Sequence, residues 1–455
     1  MPLYTINDGG TRRSLNLTVF SYGFGVVFFT VIGAPVGSSF FTGFMRKLGA
    51  GDLVYSVVLA LPVLGAVVQY FGSYFLEVTG RRKSLFIVTG LISRLLWIPA
   101  ALLPLFMGAD MRTACIWFIT IFITVASVAN SICGIAWSSW MGALVPMDIA
   151  GRFFSQRTLV STITGAVSAI LIGIYIDRVN SFTGFAVIFL IGALLGAFDI
   201  AAYIWVRHPP LIPPVIKPSL RSIIVDPFKN HDYMMVSIFS TVFAFSFNFC
   251  TPFFNVYLIE SLRMNYFIIA LSGQIMISAA TVLCVRKWGV LMDHHGNRPV
   301  VLVCAVGIAV IPLLMIFTSS SSYAMVYVYN FFVGLFFTGY NLAIFNQSVY
   351  LAPERSRSAY IACYTLLTSV IGTALAYVCG GYFMQYAGPA INALRLPFVM
   401  GRPLDSYQAL FILSFILRII AICVFFPMVR EQNASSARHM IKAVVQPVKE
   451  WKLKR

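Results

Sequence analysis

Charge is what this chain has least of. Asp, Glu, Lys and Arg make up 10% of its 455 residues, against roughly a quarter in a soluble domain. The shortage falls on one sign: 15 acids stand against 32 Lys and Arg, a formal net charge of +17. A chain so poor in charge cannot cover a water-facing surface, and 59% of it is hydrophobic, with a mean hydropathy of +0.86. Chemistry-bearing motifs are missing too. There is no G-x-x-x-x-G-K-[ST] for nucleotide phosphates, no H-E-x-x-H and no G-x-S-x-G, so neither an enzyme nor an ATP-driven pump is expected. None of the eight cysteines forms C-x-x-C and all fall in apolar runs, which points to buried thiols with no metal, cofactor or disulfide. None of the five histidines lies in the core of such a run.

What fills the chain instead is long apolar stretches. A helix crosses a bilayer with about 20 apolar residues, and about twelve stretches qualify, from 15–44 and 53–76 through to 358–386 and 407–428. Runs of that length exclude a β-barrel, whose strands alternate over about ten residues. The first run lacks a small-residue cleavage site and reads as a true span rather than a signal peptide. The expected fold is therefore all-α and integral to the membrane, with twelve transmembrane helices. Most Lys and Arg fall in the amino terminus, the even-to-odd loops and the carboxyl tail. This bias puts both termini in the cytoplasm of a multi-pass plasma-membrane protein, and it explains the net charge without nucleic acid. The basic tail has membrane lipids as a second possible partner, through Lys442, Lys449, Trp451, Lys452 and Lys454. A proline-rich stretch, with six prolines between Pro209 and Pro227, divides the chain. The expected organisation is a first six-helix bundle over 1–206, a cytoplasmic linker over 207–230, a second bundle over 231–428 and a tail over 429–455. The connection 387–405 carries Pro389, Pro397 and Pro403, and no regular span is expected there. No feature calls for more than a monomer.

A short polar loop occurs twice between the apolar runs. The first copy is S-Y-F-L-E-V-T-G-R-R-K from Ser73, and the second is G-V-L-M-D-H-H-G-N-R-P from Gly289. Each sets an acid three residues before a glycine and an arginine two after it: Glu77, Gly80 and Arg82, then Asp293, Gly296 and Arg298. The copies lie 216 residues apart, so the two bundles are expected to be related by an internal repeat. A second landmark agrees. Trp137 to Pro146 and Phe345 to Pro353 each end a long apolar run in proline, with arginines after it.

The paired loops resemble the signature of the major facilitator superfamily, Gly-x-x-x-Asp-Arg-x-Gly-Arg-Arg, placed between spans two and three and again between eight and nine. The W-x-x-W-M and G-R-F-F-x-x-R strings are similar to a bacterial branch of that superfamily without assigned substrates, which implies a bacterial inner membrane. Ser73 departs from the leading glycine, and Val78 and His294 from the first arginine. The resemblance implies alternating access by a secondary active or facilitative transporter of a small organic solute. It also implies a cytoplasmic latch formed by Glu77 and Asp293, and a cavity lined by spans one, four, seven and ten. The alternative class is a receptor, scaffold or lipid-handling protein on the same fold.

Those four spans carry no charge in their apolar cores. They offer Tyr22, Asn130, Trp137, Trp140, Asn248, Asn255, Asn330, Tyr340, Asn341, Asn346 and Gln347, with Gln69 and Gln274 beside them. Amides and rings suit a neutral or amphipathic solute, and singly they suit bonding between helices. Three charges sit inside other spans, Arg94, Asp199 and Arg418, each of which needs a partner. An Arg94–Asp199 salt bridge is within reach. Ion coupling would have to use Glu77, Asp293 or Asp199, or be absent.

Overall fold

A computed structural model describes residues 9–33, 38–68, 81–146, 149–209, 226–319, 322–353, 357–394 and 403–429. Eleven helices are long and apolar enough to cross a membrane: Gly9–Ile32, Arg82–Phe106, Arg112–Leu144, Ala150–Arg178, Phe182–Trp205, His231–Ser261, Tyr266–His295, Asn297–Phe317, Ala324–Leu351, Tyr360–Tyr386 and Ser406–Met428. Asp52–Val68 is a shorter apolar helix that stops where the described residues do, at the start of 69–80. It takes the second place in a twelve-span order, and the spans are numbered accordingly below. Among the described residues the one β feature is an isolated bridge between Ser319 and Ser322.

One sequence expectation is revised. The first apolar run is not one helix. Span one ends at Ile32, and a separate helix, Ser39–Lys47, follows. Pro35 removes an amide donor and disfavours helix at the residue before it. Ser38 then caps the new start, its hydroxyl accepting from Phe41 N at 3.3 Å. The described part of the connection 387–405 holds a short helix, Gly388–Leu394, too short to be a span.

Many hydroxyls inside the spans are satisfied by their own helix. Thr18 bonds Leu15 O, Thr120 bonds Ile116 O and Ser237 bonds Tyr233 O, as a bilayer demands of polar groups. Small residues bring helices together. A Cβ on Gly196 would stand 2.9 Å from the Phe28 ring, and one on Gly90 would stand 2.9 Å from Ile200, so span six packs tightly on spans one and three. The opposite face of span five shows Leu159, Ile163, Val167 and Leu171, all more than half exposed. Their four-residue spacing makes one apolar stripe, the surface a helix turns to lipid.

Contacts divide the chain into two units. One comprises Met1–Lys217, Asn248–Gln274 and Ser369–Leu394: the first six spans with one end each of spans seven, eight and eleven. Its core includes Phe86, Trp140, Phe153 and Tyr203. The other comprises Pro218–Phe247, Ile275–Thr368 and Arg395–Arg455. Its core gathers Phe239, Trp288, Cys304, Ala343 and Phe426.

Candidate functional site

Of the first copy of the repeated loop only Arg81, Arg82 and Lys83 lie within the described residues; the second is described throughout. In the second copy span eight runs to His295 and span nine begins at Asn297. The single residue between them, Gly296, has φ +88°, a left-handed conformation that a side chain resists. Glycine is thus required for a connection this short. Asp293 is exposed and forms no ion pair among the described residues. It lines a cavity of about 650 Å³ together with Asn297, Asn346, Tyr350 and Pro353. The repeated acid and the inner-end amide of span ten therefore meet at one opening. Glu77 and Gly80 lie outside the described residues, as does Gln69.

The arginine closing each copy is an anchor. Arg82 is buried; its Nη1 donates to Ser139 O at 2.9 Å and its Nη2 to Pro209 O at 3.0 Å. The Arg298 guanidinium lies 5.3 Å from the Phe426 ring. Pro209 and Phe426 are 217 residues apart, almost the spacing of the two arginines. Each arginine thus ties its loop to the end of the sixth span of its own half.

The cavity candidates separate. Tyr22 and Trp137 hold a residue that sequence reasoning passed over, Arg157. Its guanidinium lies 3.4 Å from the Tyr22 ring centre and 4.4 Å from that of Trp137. Tyr203 accepts from Arg157 and from the Trp137 indole at 3.4 and 3.1 Å. Trp140 is fully buried and donates to Arg207 O at 3.0 Å. Asn248 joins span seven to span eleven through Gly372 O and Thr373 Oγ1. Tyr340 packs on Phe243 in the core, and Asn255 and Asn330 are buried. Asn341 and Asn346 are exposed. Gln347 is 1% exposed, and neither of its amide atoms finds a partner among the described residues.

The buried charges correct a further expectation. No ion pair joins Arg94 to Asp199. Arg94 Nη1 donates to Asn130 Oδ1 at 2.7 Å and to Ser93 Oγ at 2.6 Å. Its guanidinium faces the Phe28 and Phe29 rings at 4.5 and 4.9 Å. Matching depth in the membrane suggested the pair, but an amide dipole and two ring faces take the cation instead. Asp199 packs against Gly25 of span one. Arg418 donates to Ile308 O at 2.6 Å and lies over Phe247. A double-mutant cycle should reflect this. Arg94→Ala and Asn130→Ala are expected to be non-additive in detergent unfolding by about 1–3 kcal/mol, the worth of a hydrogen bond to a charged group. Arg94→Ala with Asp199→Ala should be close to additive, and strong coupling there would restore the salt bridge.

A second charged cluster, which no motif announces, lies at Arg46. Arg46, in the helix after span one, grips Glu260 of span seven with Nε and Nη2 at 2.6 and 2.9 Å. Its Nη1 reaches Asp52 Oδ1 at 2.9 Å and Ala50 O at 3.0 Å. The forked contact is the strong form of such a pair. Glu260 sits in a π-helical turn, Tyr257–Ser261, a distortion that often marks working positions. Nearby, Asp177 of span five accepts from Tyr266 N at 2.8 Å and Phe267 N at 3.0 Å, placing a carboxylate on the positive end of span eight. Lys47 donates to Asn180 O at 2.7 Å. The first two contacts join spans from opposite halves of the repeat.

This architecture is that of a multi-pass membrane protein. Residues 287–455 match the family model of the Major Facilitator Superfamily. Solved structures similar to it include a mutant of the nucleoside transporter NupG, at 14% identity over 91% of this chain and 100% of that one, with a TM-score of 0.71. A bacterial homolog of the human lysosomal transporter Spinster, in an inward-facing and unoccupied conformation, has 14% identity over 96% and 99%, with a TM-score of 0.67. A POT family transporter in complex with a thioalcohol-conjugated peptide has 11% identity over 92% and 97%, with a TM-score of 0.66. At these identities the likeness is one of fold. No curated protein matches the chain in sequence.

Proposed function

We propose that this chain carries a small organic solute across the membrane by alternating access, with the Arg46–Glu260 and Asp177–span eight contacts closing one side and the Asp293 loop controlling the other. The observation that carries the reading is the forked Arg46–Glu260 contact between the two halves of a duplicated fold. Alternating access needs contacts that hold one side shut and release in the other state. A static scaffold has no use for them. The polar lining is mainly amide and aromatic, which suits a neutral or amphipathic solute. The domain limits follow the repeat, 1–206 and 231–428, with the linker between and the basic tail after. The protein acts as a monomer in the plasma membrane, without catalytic activity and without nucleic acid. The test is counterflow in proteoliposomes against a broad panel of metabolites and drugs, preceded by thermal-shift screening, since a ligand stabilises with its occupancy. No counterflow with any solute, together with crosslinks fixed in one conformation, sinks the transport reading.

The repeated loops belong on the cytoplasmic side by their basic residues. Ser84→Cys is expected to label only from the cytoplasm and Met111→Cys, more than half exposed, only from outside. Labelling of both from one side overturns this orientation.

A further inference from the structure

Arg94 is a cation buried within a membrane bundle, and not all of its donors are paired. The side chain is 3% exposed. Its Nη1 is satisfied by Asn130 and Ser93, but Nε has no hydrogen-bond partner among the described residues. Beside it lies a small cavity of about 20 Å³, lined by Arg94, Trp97, Ser127 and Asn130 with the Phe28 and Phe29 rings. That space admits one water-sized or monatomic species. No Asp or Glu lines it. Its polar lining residues are Ser93, Arg94, Trp97, Ser127 and Asn130, and each carries at least one donor; Ser93 Oγ and Asn130 Oδ1 already accept from Arg94. Asp199 of span six forms no ion pair with Arg94 among the described residues. The ring faces ease burial of the cation without neutralising it. A buried charge needs a counter-charge or a full set of hydrogen bonds.

The geometry points to a binding site for one small monovalent anion at Arg94, between spans one, three and four. A free halide fits the space, its single negative charge facing the guanidinium. The site shares no residue with the Asp293 loop or the Arg46 cluster, and it holds whether or not the protein transports.

The test uses the purified full chain and reads melting temperature at constant ionic strength. Sodium gluconate, too large for the cavity, is exchanged stepwise for sodium chloride, bromide or formate. A saturable rise in melting temperature with chloride or bromide is expected, and Ser127→Val should move the half-saturating concentration up at least tenfold. A rise with formate alone, an ion larger than the space admits, places the anion elsewhere and overturns the site. Arg94→Met, which keeps length and removes charge, should abolish the dependence. If that variant does not fold, Ser127→Val decides. Equal melting in all four salts means that the cavity holds only water, and overturns the site. A dependence undiminished by Ser127→Val assigns the anion to some other place and overturns it equally.

Discussion

A short thiol crosslinker joining Arg46→Cys to Glu260→Cys is expected to stop transport outright, and cleavage of the crosslink to restore it. The two side chains touch across 214 residues of sequence, one from each half of the repeat. If the halves must part at this end in every cycle, a covalent bridge there arrests the cycle in one state. The control is a bridge between Lys47→Cys and Asn180→Cys. Lys47 also touches its partner, but both belong to the first half and should move together, so transport should survive. The exposed native Cys423 and the partly buried Cys379 are best replaced first. Without a crosslinker, Arg46→Ala should favour the state open at this end. It removes a forked contact and leaves Glu260 and Asp52 side by side. Coupling through one such element is typically worth about 1–3 kcal/mol, or roughly 5–150-fold in the equilibrium. Transport that continues under a complete Arg46–Glu260 crosslink would show that these residues do not gate.

The contrast between this cluster and the repeated loops shows what one sequence can reveal. Asp293, Gly296 and Arg298 were legible because the same residue types recur at the same spacing, in the same place between apolar runs. The Gly296 φ then supplies a reason for the glycine. Arg46 and Glu260 repeat nothing. Each looks like an ordinary charge at the end of an apolar run, and their meeting depends on how distant spans pack. The partners of Arg82 are backbone carbonyls, which leave no mark in a sequence. Trp140 resembles a cavity residue by type and position, yet its N–H is satisfied by Arg207 O in the core. Arg94 was rightly singled out as a charge needing a partner, but choosing that partner by depth alone favoured an acid over a nearer amide and two rings. The twelve apolar runs were legible through their length. The break after Ile32 was not, because a single proline within an apolar run can kink a helix or end it.

Asp293→Asn should slow transport strongly while leaving the protein as stable as before. The acid is exposed and without an ion pair among the described residues, so removing its charge here should change unfolding by no more than about 0.5 kcal/mol. In the alternate state, with the Arg46 end open, we expect it to face a helix amino terminus or an arginine and to hold the loop end shut. A residue that is idle in one state and engaged in the other shifts the equilibrium by its differential interaction. The variant should therefore populate the present state, closed at Arg46, by a further 5–150-fold or so. The readout is the modification rate of Asn346→Cys, which lines the same cavity as Asp293, by a reagent applied from the cytoplasm. That rate should rise as transport falls. Combining Asp293→Asn with Arg46→Ala removes a contact from each state, so it should return the accessibility toward its starting value. A folded Asp293→Asn protein with unchanged accessibility and unchanged transport would reduce the repeated loop to a topology signal, and the case for alternating access would then rest on the Arg46 cluster alone.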